Sequence, residues 1–357
     1  MAGMRGSSVG TDTGGYAKGY EAERVSTVAD VWDRRSELGY FVLELAARSV
    51  SDNYWAILTA SAGVVIFCYM WTIYRLSVNP AISLFVFITM GYYTFFFNGA
   101  RQGLAAAVYC LAFTSLVAGR FWRYALFVAI AFLFHRTAIL TLPLYFVFRR
   151  KCSFWYVAAL MVGAGVVVCF LHVFLSLGVF INERYSMYAE MEATGGRWLT
   201  VFYVLLSVFF LLFKPAIMGE DRRAYDCFLN MLIFGTTVYV GVATSGAYVE
   251  LTRFAFYFQV GSVFLWPLVF KSGQMSSPQF LPNASVVWTR QKGLLPVSVH
   301  PGLNTRVPPH TSTGLYVKAI PIVLGHLAYF YLFLSQIGNL VPYRLNEEIA
   351  RWGGLGW

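Results

Sequence analysis

The chain has 357 residues, 58% of them hydrophobic and 18% aromatic against only 12% charged, and its mean hydropathy is +0.59. That balance excludes a soluble globular domain and predicts an all-α, polytopic membrane protein in contact with the lipid bilayer. The net charge of +10 is spread as short basic clusters between apolar runs, the pattern of cytoplasmic loops. No continuous basic face is left to meet nucleic acid. The cysteines, Cys68, Cys110, Cys152, Cys169 and Cys227, are odd in number and lack CxxC spacing, so they read as packed thiols.

Residues 1–53 read as an extracytoplasmic segment, and a further span is expected ahead of it; its first 37 positions are polar and carry no apolar h-region of a signal peptide. Within it, Gly10-Thr11-Asp12-Thr13-Gly14-Gly15-Tyr16 has the composition of a tight turn, in which Asp12 makes an Asx-turn or serves a site. Residues 38–50 are apolar but short, with Glu44 and Arg48 one helical turn apart, and read as an amphipathic helix at the membrane interface. The transmembrane core is expected over 54–270, a cytoplasmic loop rich in Pro, Ser, Asn and Thr over 271–318, and a last span with an extracytoplasmic tail over 319–357. Runs able to cross roughly 30 Å of hydrocarbon are Trp55–Tyr74, Ala81–Phe97, Leu104–Ala118, Phe154–Ile181, Trp198–Phe213, Tyr225–Thr244, Thr252–Phe270 and Ala319–Ile337, about 8 full spans.

The segment 124–148 is different. Read as one span it would hold His135 and Arg136 at mid-membrane, where a charged side chain costs about 2.5 to 3.5 kcal/mol even on insertion scales. Two half-helices meeting at His135-Arg136-Thr137-Ala138 remove that conflict and return Arg149, Arg150 and Lys151 to the side of Arg120 and Arg123. With this re-entrant pair, one face collects the basic loops from Arg75 to Lys318 against only Glu220, Asp221 and Asp226, and the positive-inside rule makes that face cytoplasmic.

The opposite, outer face then gathers Arg5, Asp12, Asn98, Arg101-Gln102, His135-Arg136, Glu183-Arg184, Glu250 and Arg253. Arginines at one depth suit an anionic head group on a lipid tail, because the planar guanidinium engages phosphate oxygens in pairs and stays charged when partly desolvated. Ordinary readings stand beside this one: Arg101 snorkels to the interface, and Glu250 with Arg253, or Glu183 with Arg184, form local ion pairs. No HExxH, GxSxG or P-loop occurs. No cofactor or obligatory metal is expected, although Asp12 with Glu250 could hold an ion loosely.

Three motifs, Arg5 through Gly10-Thr11-Asp12-Thr13 to Tyr16, Asn98-Gly99-Ala100-Arg101-Gln102-Gly103-Leu104-Ala105, and Phe134-His135-Arg136-Thr137-Ala138, together resemble the EpsG family of membrane polysaccharide polymerases. Glu250-Leu251-Thr252-Arg253 and Val341-Pro342-Tyr343-Arg344 echo it more weakly. The resemblance implies a glycosyltransferase of the bacterial cytoplasmic membrane, akin to Wzy-type polymerases of O-antigen, capsule and exopolysaccharide. Such an enzyme transfers a growing glycan from undecaprenyl diphosphate to the next lipid-linked repeat on the outer face. A chain-length regulator is a candidate partner. On this reading His135 is the candidate base with Asp12 as competitor. Arg101, Arg253, Arg5 and Arg184 hold the diphosphate, and Gln102, Arg136 and Glu250 support them. A single-sugar transferase using a polyprenyl-phosphate donor and a lipid-linked-sugar exporter are the alternatives.

Overall fold

The computed structural model describes residues 2–22, 37–163, 165–166, 196–245, 250–275 and 323–331. Arg184, the second half of the run 154–181, most of the loop 271–318 and Arg344 lie outside the described residues. Among the described residues the regular structure is helical: α1 (Thr13–Ala22), α2 (Leu38–Arg48), α3 (Trp55–Leu76), α4 (Pro80–Thr89), α5 (Ala100–Leu111), α6 (Phe113–Ala118), α7 (Phe121–Phe134), α8 (Leu144–Phe148), α9 (Phe154–Gly163), α10 (Gly196–Phe213), α11 (Asp221–Ser245), α12 (Glu250–Gln259), α13 (Ser262–Met275) and α14 (323–331). Among the described residues, five helical stretches are long and apolar enough to cross a membrane: Trp55–Leu76, Ala100–Ala118, Trp198–Ala216, Asp221–Thr244 and Thr252–Ser272.

Of the eight runs of the sequence, Phe154–Ile181 and Ala319–Ile337 lie largely outside the described residues, and Ala81–Phe97 departs from a span for a physical reason. The run is apolar throughout, but its helix ends at Thr89 and a short 3₁₀ turn, Phe95–Phe97, follows. Instead of spanning, its second half packs inward. Tyr92 Oη donates to Gln259 O at 2.5 Å, and Phe95 stacks on Phe256 at 3.5 Å between ring centroids. Hydropathy registers that a segment avoids water and is silent on whether its backbone stays helical.

α5 is the central post. Leu104, Ala105, Ala107, Tyr109 and Cys110 are all fully buried, and α5 packs against both α3 and α7. Its run of alanines lets these neighbours approach closely, the way small residues work between helices where lipid supplies no hydrophobic drive. α2 is amphipathic as expected: Tyr40, Phe41, Glu44 and Ala47 are buried at helical spacing. Arg48 pairs with Glu44 one turn away at 3.0 Å.

The segment around His135 doubles back. At about 1.5 Å per residue, the 14 residues of α7 reach about 21 Å, short of the roughly 30 Å hydrocarbon layer. The helix stops at His135, whose backbone is extended, and a 3₁₀ stretch, Arg136–Thr141, leads to α8. The limbs are antiparallel, because Phe121 at the start of α7 packs on Tyr145 and Phe146, with centroids 5.2 and 5.3 Å away. Arg149 Nη1 likewise donates to Leu116 O at 3.1 Å.

A broken helix exposes carbonyls that hydrocarbon cannot satisfy, so side chains must. Tyr124 Oη donates to Thr141 O at 2.7 Å. Fully buried Asn230 on α11 donates to Phe148 O at 3.1 Å and Arg150 O at 2.8 Å.

Candidate active site at the tip of the hairpin

Arg101 stands in the first turn of α5, beside the positive end of the helix dipole, where a cation is disfavoured unless something compensates. The compensation is Glu37, which the sequence reading did not single out. Arg101 Nη1 lies 3.0 Å from Glu37 Oε2, and His135 Nδ1 lies 2.5 Å from Glu37 Oε1. One carboxylate thus joins the two strongest candidates of the sequence, with its own side chain only 10% exposed. Burial alone would raise the Glu37 carboxyl, but hydrogen bonding and charge from His135, then Arg101, outweigh it and hold the group below the usual carboxylate value.

Glu37 is also the one non-glycine residue with positive φ among the described residues, at φ 48° and ψ 57°, immediately before α2. A left-handed conformation costs an ordinary residue about 1 to 2 kcal/mol. Such strain persists where surroundings over-determine it, and functional sites concentrate it. No local signal marks Glu37 off from the other acids of the polar N-terminal segment. An acid before a helix is ordinarily a dipole partner, and its true partners lie 64 and 98 residues away.

Arg101 is further held by aromatic faces, its guanidinium carbon 4.8 Å from the Tyr40 ring centroid, 5.5 Å from Phe41 and 5.8 Å from Tyr16. Its Nε is buried with no hydrogen-bond partner among the described residues. Beside it opens a cavity of about 500 Å³ lined by residues of α1 and α2 together with Thr11, Asp12 and Arg101.

Asp12 reaches this cavity from the N-terminal turn. Its Oδ1 accepts from Thr11 Oγ1 at 3.1 Å, and its Oδ2 lies 3.7 Å from Arg253 Nη1 on α12. Asn98 fixes the turn by accepting from the Thr11 amide at 2.9 Å. Gly10 is needed there twice over: its φ is +91°, and a Cβ would sit 2.6 Å from Phe97 O.

Arg5 occupies a different place from its expected companions. It is 1% exposed, its guanidinium lies 4.1 Å from the Phe97 ring, and it donates to Thr13 Oγ1 at 3.2 Å and Ala2 O at 2.6 Å. That geometry fastens the N-terminal segment to the turn ahead of α5. Gln102 is buried on α5, Arg136 is exposed at the hairpin tip, and Glu250 opens α12 one turn before Arg253. Thr137 at the tip meets Tyr257 of α12, with hydroxyls 3.2 Å apart. Among the described residues no group of three or more His, Cys, Asp or Glu gathers as a metal site.

The three sequence motifs therefore converge on one end of the bundle: Asp12 and Arg101 line one cavity, and His135 shares the carboxylate that holds Arg101. No curated protein and no solved structure matches the chain. A family model, that of the EpsG family, matches residues 1–278, well over half of the sequence. With its apolar helices, the chain is an integral membrane protein that belongs to the EpsG family, a family associated with polysaccharide polymerase activity.

Proposed function

We propose that this protein polymerises undecaprenyl-diphosphate-linked oligosaccharide repeats on the outer face of the bacterial cytoplasmic membrane. The observation that carries the reading is the Arg101–Glu37–His135 cluster, which sets a guanidinium and an imidazole on one half-buried carboxylate beside an open cavity. In the reaction, a hydroxyl oxygen at the non-reducing end of the acceptor repeat attacks the anomeric carbon of the donor chain. The bond from that carbon to diphosphate breaks, its electron pair leaves with the diphosphate, and the hydroxyl proton passes to a base.

Negative charge grows on the departing diphosphate, so guanidinium groups fixed in advance stabilise the transition state more than the ground state. Arg101 and Arg253 fill that role, with Arg184 in the same assignment and Gln102, Arg136 and Glu250 in support, while Arg5, packed on Phe97, serves it only by fastening the N-terminal segment that carries Asp12. His135 is the base. With Nδ1 engaged by Glu37, its Nε2 is the nitrogen that takes the proton, and Glu37 fixes the tautomer and ring orientation. Asp12 orients the acceptor sugar or competes as base. The doubled-back segment is read as re-entrant, with its tip on the extracytoplasmic side and 271–318 on the cytoplasmic side.

Glycolipid profiling of a deletion strain complemented with Arg101→Ala or His135→Ala tests this. Each variant is expected to insert normally, to make no polymer and to accumulate single lipid-linked repeats on the outer face. Polymer at wild-type level in either variant removes that residue from the reaction, and polymer in the uncomplemented deletion strain sinks the proposal. Repeats held only on the cytoplasmic face would identify an exporter.

A further inference from the structure

The cavity beside Arg101 has a construction that the leaving-group chemistry does not require. One wall is a face of α1 on which Gly15 and Gly19 fall one turn apart, and a Cβ built at either position meets nothing within 4 Å. The side chains missing there leave the space open. The opposite wall is α2, which presents Tyr40, Phe41 and Glu44. Tyr16 leans across toward Tyr40, with centroids 5.6 Å apart and planes at 52°.

At Tyr20 and Glu44 the lining is tied together by its own contacts. Tyr20 Oη donates to Ser51 O at 2.7 Å, and the Arg48 guanidinium lies 4.0 Å from the Tyr20 ring while pairing with Glu44. Burial raises the Tyr16 phenol and pushes that of Tyr20 up to about 12, so both keep their protons across the physiological range.

We infer that this groove is a glycan subsite, which holds one uncharged sugar ring of the lipid-linked chain against the reacting centre. The inference rests on the polymerase reading and specifies where its substrate sits. A pyranose has an apolar C–H face that packs on aromatic rings and a rim of hydroxyls that bond carboxylates and phenols; tyrosine serves both needs with one side chain. The volume of about 500 Å³ falls in the ordinary range of small-molecule sites, about 300 to 1,000 Å³. Glu44, Asp12 and Arg101 are each matched by an opposite charge, at Arg48, Arg253 and Glu37, so the lining carries no excess of either sign and suits an uncharged ring, and the continuity of the groove with Arg101 puts its occupant next to the diphosphate.

The test uses the full-length protein in detergent, titrated with oligosaccharide repeats released by mild acid from the host's own polymer and followed by intrinsic fluorescence. Wild type is expected to bind saturably, Gly19→Ala to bind similarly, and Gly19→Leu, whose side chain fills the groove, to bind at least tenfold more weakly. Should Gly19→Leu fail to fold, Gly15→Leu makes the same test from the preceding turn. Absence of saturable binding to folded wild type, or wild-type affinity in a folded leucine variant, overturns the subsite.

Reducing the released repeats to alditols distinguishes two sources of the same chemistry. Unchanged affinity assigns the groove to the non-reducing end of the acceptor, and lost affinity assigns it to the donor end that carries diphosphate. Binding is read without turnover. Repeats that bind to wild type while the uncomplemented deletion strain still makes its polymer would therefore refute the polymerase assignment and leave the subsite standing.

Discussion

Glu37 is the residue on which the proposed chemistry turns, because two candidates from distant motifs, Arg101 and His135, both meet its carboxylate. Glu37→Gln retains size and part of the hydrogen bonding but removes the charge that orients His135 and balances Arg101. Loss of an orienting carboxylate behind a histidine is expected to lower turnover by about 10²-fold or more, with partial rescue by Glu37→Asp. Turnover assays in membranes, normalised to inserted protein, check this; unchanged turnover would reduce Glu37 to a helix-start acid. Its lowered carboxyl also sets a pH dependence. Because the folded value lies below the ordinary 4.5, the charge contributes stability fully above that pH, and the contribution disappears as pH falls through the folded value. The advantage in Tm of wild type over Glu37→Gln should therefore persist down to pH 4.5 and be lost only below it. An advantage that is already lost well above pH 4.5 would contradict the assignment.

The hairpin is the element that makes the site, since its turn delivers His135 to the level of the first turn of α5. Single cysteines replacing Arg123, Arg136 and Arg150, in a background without native cysteines, report its placement in the membrane. Impermeant thiol reagents are expected to reach 123 and 150 from one side and 136 from the other. Labelling of all three from one side would refute the re-entrant reading. The break itself was legible from the chain, because His135-Arg136 interrupts an apolar run at a place where charge is costly. The ties that make the break tolerable, Tyr124 to Thr141 and Asn230 to Phe148 and Arg150, had no such signature. Tyrosine and asparagine in apolar segments have many ordinary uses, and nothing in their spacing marks a distant carbonyl as partner.

At the scale of the molecule, α5 sets where Arg101 sits relative to the N-terminal turn and α12. Its closest approach to the preceding turn is at Gly103, where a Cβ would lie 2.4 Å from Phe96 Cβ and 2.6 Å from Phe96 Cα. Backbone cannot move aside as cheaply as a side-chain tip, so Gly103→Ala is expected to destabilise by about 1 to 3 kcal/mol, the usual range for overpacking. It also shifts the first turn of α5. A lower Tm of the solubilised protein together with shortened or absent polymer would check this, and a Tm equal to wild type would contradict the packing.

Composition and the placement of charge determined that this is a helical membrane protein, where its apolar runs lie and where one of them breaks, because water, hydrocarbon and charge act on any chain locally. The motifs around Asp12, Arg101 and His135 were legible for a related reason: polar residues between apolar runs are conspicuous. Only the tertiary structure decided which apolar runs remain helical, that Arg5 is packed on Phe97 while Arg253 faces Asp12, and that Glu37 closes the cluster. Those outcomes depend on which faces of distant helices meet, and a carboxylate carries no local mark of a partner 98 residues away.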